Sequence, residues 1–167
     1  MSNALTDLIV NFQELVAQVP DPVQPLIVAL AGAVPFIEGE GSASIGIIGG
    51  IHPVVAAVAG IVGNFLCVAV VVLIGSRVRS AVTTRRGGGT AETSPRREKF
   101  QRAFTRYGVP GVSLLGPLLL PTQFTAVMLS GAGVSTRRVL LWQGVAIVMW
   151  TTLFTLILTG VLRFAGA

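Results

Sequence analysis

Charged side chains are scarce in this chain of 167 residues: Asp, Glu, Lys and Arg together make up 11% of it. An ordinary soluble domain has about a quarter. Hydrophobic residues make up 52%, and the mean hydropathy is +0.79. A soluble domain of this size has too little interior to hide so much apolar surface. The composition therefore predicts an integral membrane protein with a single domain.

Cysteine and histidine are almost absent, since Cys67 and His52 are the sole examples. The sequence therefore predicts no disulfide framework and no metal site. It contains no Ser-His-Asp set. The glycine run at residues 87–89 is followed by no Lys-Ser or Lys-Thr pair, so it is no phosphate-binding loop. We expect no enzymatic activity, no cofactor and no metal.

Positive charge is concentrated in one loop. Of the twelve Lys and Arg residues, nine lie between Arg77 and Arg106, in a hydrophilic stretch between apolar blocks. The positive-inside rule places such a loop in the cytoplasm, so we expect a multi-pass protein of a bacterial inner or plasma membrane. The distribution favours contact with the lipid bilayer and its anionic headgroups, and not with nucleic acid.

Prolines and apolar runs divide the chain into segments. Only 16 uncharged residues separate Asp21 from Glu38, and prolines interrupt them, whereas a full span needs about 20. The uncharged run 107–136 exceeds one span, falls short of two, and is also broken by prolines. We predict an amphipathic interfacial helix (3–19), a first re-entrant hairpin (22–50), a transmembrane helix (51–76), the basic loop (77–106), a second re-entrant hairpin (107–136) and a transmembrane helix (139–163).

The two halves of the chain follow the same order of segments. An offset of about 85 residues places Glu38 on Gln123 and His52 on Arg137. Interrupted apolar segments in corresponding positions of two halves are a pointer to a transporter site. A cytoplasmic loop 77–106 requires the first hairpin to enter from outside and the second from the cytoplasm. The predicted fold is therefore all-α, with two inverted repeats.

Two stretches resemble a known family. Residues 35–46, PFIEGEGSASIG, resemble the acidic re-entrant motif of the small multidrug export protein family, which is similar to the DedA/VTT superfamily of membrane transporters. Residues 104–135 resemble the second motif of that group. The resemblance covers roughly residues 20 to 165 and implies inverted re-entrant hairpins and proton-linked transport of drugs or lipid-linked phosphates. One departure is that the DedA pattern carries an arginine in the second hairpin, where this chain has Gln123 as its most polar group.

Glu38 and Glu40 are the main candidate functional residues. A charged carboxylate near the bilayer centre costs at least about 2.5 kcal/mol, so such residues usually face a polar cavity. Two carboxylates this close repel each other, which favours a retained proton on one of them. We interpret the pair as a proton or substrate site. The alternative is a solvated loop at the membrane surface.

Three further residues are candidates. His52 relays protons to Glu38 or caps the start of a helix. Gln123 binds substrate, contacts the Glu38 loop, or satisfies broken backbone at the tip of the second hairpin. Arg137 binds an anion or anchors the last helix at the cytoplasmic interface. The glycines at residues 39, 41, 46, 49 and 50 permit a tight, non-helical turn and close approach to the second hairpin, or they serve helix packing alone.

These interpretations favour a small transporter that couples export of small molecules or drugs to protons. One chain encloses little, so a homo-oligomer or a partner in a membrane complex is expected. In this hypothesis Glu38 and Glu40 face Gln123 across the interface between the hairpins. The alternatives are a non-catalytic accessory subunit of a larger membrane complex and a DedA-like flippase for lipid phosphates.

Overall fold

The structure, a computed structural model, describes residues 4–83 and 108–166. Every regular element in those two ranges is a helix, which confirms the predicted all-α class. The elements are α1 (Ala4–Gln18), α2 (Gln24–Gly32), α3 (Glu38–Ile48), α4 (Pro53–Thr83), α5 (Gly108–Leu118), α6 (Thr122–Gly131) and α7 (Thr136–Ala165). The last turn of α5, Gly116–Leu118, is a 3-10 helix.

Proline and glycine mark several helix ends. Pro25 lies in the first turn of α2 and Pro53 begins α4, positions where the missing backbone N–H has no helical partner to lose. Gly50, just after α3, has a φ of 90°. Glycine adopts this left-handed backbone without a side-chain clash, so it terminates a helix readily.

The two long helices α4 and α7 are candidate membrane spans. Pro53–Arg77 provides 25 residues and Thr136–Ala165 provides 30, and about 20 suffice to cross the hydrocarbon core. In their most apolar stretches only 33% and 22% of the residues are buried. Most of their apolar side chains therefore face outward, which is unlike a helix in the core of a soluble protein.

Helix α4 continues beyond the predicted transmembrane segment 51–76, to Thr83. The candidate membrane span within it is Pro53–Arg77. A charge marks where the chain leaves an apolar environment, but it does not interrupt the backbone hydrogen bonds of a helix. The rest of the predicted basic loop, residues 84–106, lies outside the described residues.

The chain divides into two compact units, whose boundaries fall inside α4 and α7. Unit 1 comprises Met1–Leu66 and Ile147–Ala167, and unit 2 comprises Cys67–Ala146. Among the described elements, unit 1 contains α1 to α3 and unit 2 contains α5 and α6. Each unit thus holds one proline-broken helical hairpin. The inversion of one hairpin relative to the other stays a prediction.

The apolar core of unit 1 is built by its three short helices and the start of α4. Helix α1 is confirmed as a helix, and its Val16 is completely buried. Several of its other apolar side chains are exposed, including Leu5 and Leu15. The core consists of small and β-branched residues, namely Val16, Val28, Ala31, Ile37, Ile45, Ile51 and Ala56.

Glycines let α2, α3 and α4 touch through their backbones. A Cβ atom on Gly60 of α4 would lie 2.6 Å from both the carbonyl oxygen of Gly39 and the Oγ of Ser42 in α3. A Cβ atom on Gly63 would overlap the backbone of Ala29 in α2. Small residues at helix crossings are typical of membrane helices, where close van der Waals contact drives association.

Candidate functional site

The turn between α2 and α3 holds its backbone in an unusual conformation. Phe36 has a φ of 73° and Glu38 has a φ of 54°. Both values lie in the left-handed region, which costs a residue with a side chain about 1–2 kcal/mol. Such costs persist only where surrounding contacts impose them, and they cluster at functional sites. The strain here lies at the first acidic residue of α3.

Three of the five glycines, Gly39, Gly41 and Gly46, lie within helix α3 and form no turn, whereas Gly49 and Gly50 follow its end in a turn. Glycine is about 1 kcal/mol less favourable than alanine in a helix interior. Contacts with neighbouring helices outweigh that preference here: a Cβ atom on Gly46 would lie 2.9 Å from side-chain atoms of Ala56 and Val28. The chain reverses instead at residues 33–37, around Pro35.

Glu38 and Glu40 occupy the first turn of α3. Glu38 is 4% exposed, and Glu40 is half-buried. The positive end of the helix dipole stabilises negative charge at this position. The surface alternative, in which both carboxylates are fully solvated, does not describe Glu38.

Burial also affects the proton affinity of Glu40, which lies outside both candidate spans. Loss of water contact raises the pKa of Glu40 from its ordinary value of 4.5 to about 7. A backbone hydrogen bond of Glu40 opposes this rise, and the charge of Glu38 adds to it. A carboxyl group with such a pKa takes up and releases protons near neutral pH.

Helix α7 brings a hydroxyl group to the same place. Thr151 is completely buried, and its Oγ1 lies so close to Gly39 that a Cβ atom on Gly39 would overlap it. Gly39 separates the two glutamates in the chain, so Thr151 lies beside the acidic turn, which is the first turn of α3 with Glu38 and Glu40. Sequence reasoning missed Thr151. The available signal was a threonine at every fourth position, at residues 151, 155 and 159, in a run whose one other hydroxyl-bearing residue is Thr152.

His52 caps a helix. Its side chain is exposed, and its Nδ1 accepts a hydrogen bond from the backbone N–H of Val54, with 3.3 Å between the nitrogens. Val54 is the second residue of α4, so the bond satisfies a donor that lacks a helical partner. The geometry supports the capping alternative for His52. A relay to Glu38 stays a prediction.

Unit 2 holds the other two candidates. Gln123 is 5% exposed and lies in the first turn of α6, directly after the turn that joins α5 to α6, where the hairpin tip was predicted. Arg137 is exposed in the first turn of α7, as an interfacial anchor would be. Glu38 and Gln123 belong to different units, so the proposed contact between them stays a prediction.

Unit 2 also contains a cavity of about 460 Å³, a size typical of small-molecule sites. Valines and glycines of α4 and α6 line it, together with the hydroxyl groups of Ser76, Ser130 and Ser135. None of the candidate residues lines this cavity. It is therefore a separate feature from the acidic turn.

The chain was compared with protein-family models, curated proteins and solved structures, and it matches none of them. The resemblance of residues 35–46 and 104–135 to the small multidrug export and DedA groups therefore stays a prediction.

Because of the left-handed backbone at Glu38, we expect glycine at this position to give a more stable protein than alanine, the reverse of the usual order in a helix. Alanine is ordinarily about 1 kcal/mol more favourable than glycine within a helix. Because the φ of Glu38 is 54°, we expect Glu38→Gly to be more stable than Glu38→Ala by about 1 kcal/mol. Thermal unfolding of the two variants in the same detergent measures the difference.

Glu40 provides the matched control for that comparison. It lies two residues further along α3, and its φ is not positive. Glu40→Ala should therefore be more stable than Glu40→Gly, the usual order. The same order at both positions would show that Glu38 has ordinary helical backbone.

Proposed function

We propose that this protein is a small integral membrane transporter that couples solute movement to protons, with Glu38 and Glu40 as the proton site. One observation carries the proposal: Glu38 combines a carboxyl group that is 4% exposed with left-handed backbone. Burial of an ionisable group and backbone strain both lower stability. Their coincidence at one residue is explained by function better than by folding.

The chemistry of the acidic turn suits exchange between a proton and a cationic solute. Burial raises the pKa of Glu40, so its carboxyl group exchanges protons closer to neutral pH than an exposed glutamate does. Repulsion from Glu38 favours the state in which the pair carries only one negative charge. A cation that replaces the proton satisfies the same carboxylates. Alternating exposure to the two sides then couples the two movements.

The proposed placement in the membrane follows from the long helices. In it α4 and α7 cross the bilayer, the two hairpins re-enter it from opposite sides, and residues 77–106 lie in the cytoplasm. Helical backbone in lipid satisfies its own hydrogen bonds, whereas the turn at 33–37 must be covered by protein or reach water. A homo-oligomer provides that cover, since the described part of one chain contains only two candidate spans.

Reconstitution of the purified protein in liposomes tests this function. A pH-sensitive dye inside the vesicles reports dissipation of an imposed pH gradient when a cationic dye such as ethidium is added. We expect wild-type protein to speed this dissipation and Glu38→Gln to slow it by at least about 100-fold, as loss of a positioned proton-transfer group does. Glu14→Gln is the matched control, because Glu14 is an exposed acid of α1.

The same assay separates the alternatives. An inactive wild-type protein that is folded and correctly inserted would contradict transport and favour an accessory subunit. Flux of a lipid phosphate that is lost in Arg137→Ala and retained in Glu38→Gln would favour the flippase. Equal flux in Glu38→Gln and Glu14→Gln would remove Glu38 from the proton site.

A further inference from the structure

Three threonines form a row along the second half of α7. Thr151, Thr155 and Thr159 recur at every fourth residue, so they lie one above another on the helix surface. The neighbouring positions of this part of α7 carry large apolar side chains that are exposed, namely Leu153, Phe154, Leu156 and Ile157. The row is therefore a narrow polar line on an otherwise apolar helix within unit 1.

The hydroxyl groups of this threonine row differ in their hydrogen bonds. The Oγ1 of Thr159 donates to the carbonyl oxygen of Thr155 at 2.7 Å, the usual arrangement for a hydroxyl in a membrane helix. The Oγ1 atoms of Thr151 and Thr155 are buried, and neither has a hydrogen-bond partner among the described residues. Buried polar groups are ordinarily bonded to protein or to water.

The inner end of the threonine row reaches the acidic turn. Thr151 is 0% exposed, and its Oγ1 lies against Gly39, between the two glutamates in the chain. The outer end lies near the C-terminal end of α7. Thr159 is six residues before Ala165, or about 9 Å along a helix. Thr151 is a further eight residues inward, or about 12 Å.

We propose that Thr151, Thr155 and Thr159 line a hydrated path that carries protons between the acidic turn and the surface at the C-terminal end of α7. The inference rests on the proposed function, because it assigns the route by which protons reach Glu38 and Glu40. Waters carry the proton: the hydroxyl groups of Thr151 and Thr155 each accept a hydrogen bond from one water and donate one to the next, whereas the hydroxyl of Thr159, which donates to the carbonyl oxygen of Thr155, only accepts one. A proton that enters at one end is matched by one that leaves at the other, and no threonine changes its charge.

The orientation of the path follows from the basic loop. With residues 77–106 in the cytoplasm, α7 runs outward, so the path opens on the external side. Arg163 is the single charged residue in the second half of α7 and is exposed in its last turn. It places the outer end of the path at the interface between lipid and water.

Cysteine accessibility tests the path without reference to any solute. Single cysteines are introduced as T155C, T159C and T152C in a Cys67→Ser background, and the protein is reconstituted. A charged, membrane-impermeant methanethiosulfonate is then added from the external side. Modification requires a thiolate in contact with water, so we expect T155C and T159C to react at least about tenfold faster than T152C. Thr152 is the matched control, because it is exposed on the apolar face.

Conservative substitutions test the role of the hydroxyl group itself. Thr155→Val keeps the shape of the side chain and removes the hydroxyl, and should slow proton-driven flux at least about fivefold, as expected for one lost hydrogen bond along the route. Thr155→Ser should retain the flux, and so should Thr152→Val. A purely structural threonine would lower the thermal stability in Thr155→Val without this difference in flux.

The outcomes distinguish the path from the proposed function. Equal reactivity of T155C and T152C, in a protein whose Glu38→Gln variant loses flux, would overturn the path and leave the proton site standing. Rapid modification of T155C, in a protein whose Glu38→Gln variant keeps its flux, would establish water at Thr155 and overturn its role in proton delivery.

Discussion

Gly63→Ala is expected to destabilise the protein by more than about 3 kcal/mol, the upper range for overpacking in a well-packed core. A Cβ atom at this position would overlap the carbonyl oxygen, carbonyl carbon and Cα of Ala29. These are backbone atoms of α2, so no side-chain rotation relieves the overlap. Helices α2 and α4 would have to separate, and the core that they share in unit 1 would lose contacts along its length.

Gly75→Ala is the control in the same helix. No atom lies within 4 Å of a Cβ at Gly75, so only helix propensity changes, and we expect a gain of up to about 1 kcal/mol. The midpoint of thermal unfolding, followed by size-exclusion chromatography in detergent, ranks the variants against wild type. If Gly63→Ala and Gly75→Ala unfold at the same temperature, the backbone contact between α2 and α4 is wrong.

Gly39→Ala is expected to cost about 2 kcal/mol, within the range for an added methyl group in a packed core. The added Cβ atom would take the place of the Thr151 Oγ1. Here the obstacle is a side chain, so the loss should be smaller than in Gly63→Ala. A second substitution should also relieve it: Thr151→Ala removes the colliding atom, and we expect the double variant to recover at least about 1 kcal/mol relative to Gly39→Ala.

A double-mutant cycle measures this coupling in the same thermal unfolding assay. Thr152→Ala provides the control, because Thr152 is the next residue of α7 and is exposed. It should leave the loss in Gly39→Ala unchanged. Additive effects of Gly39→Ala and Thr151→Ala would contradict the contact between α3 and α7 beside the glutamates.

The long helices could be predicted because length and apolarity are sufficient to define them. An uncharged run of 24 residues before Arg163 can bury its backbone in lipid only as a helix. The end of α4 was harder to predict. Between Gly75 and Thr83 no proline interrupts the chain. Arg77 and Arg79 end the apolar run of the sequence, but the helix continues through them.

The acidic turn was predicted in the right region, but the sequence left open whether its glycines form a tight turn or pack helices. Glycine has a weak local preference for turns, which for Gly39 and Gly41 favours the first alternative. Their helical state depends on neighbours that are distant in the chain, such as Gly60 and Thr151. Thr151 was missed for the same reason. A threonine in a long apolar run indicates no site by itself, and its contact with Gly39 of α3 is visible only in the folded chain.

Backbone contact among α2, α3 and α4 has a mechanical consequence. Where a Cβ atom on Gly60 would meet the carbonyl oxygen of Gly39 at 2.6 Å, no flexible side chain stands between the helices to absorb a displacement. The three helices should therefore move as one stiff body. Any opening of the acidic turn then has to come from an element outside this body, and the second half of α7, whose Thr151 contacts Gly39, is the neighbour that can move away.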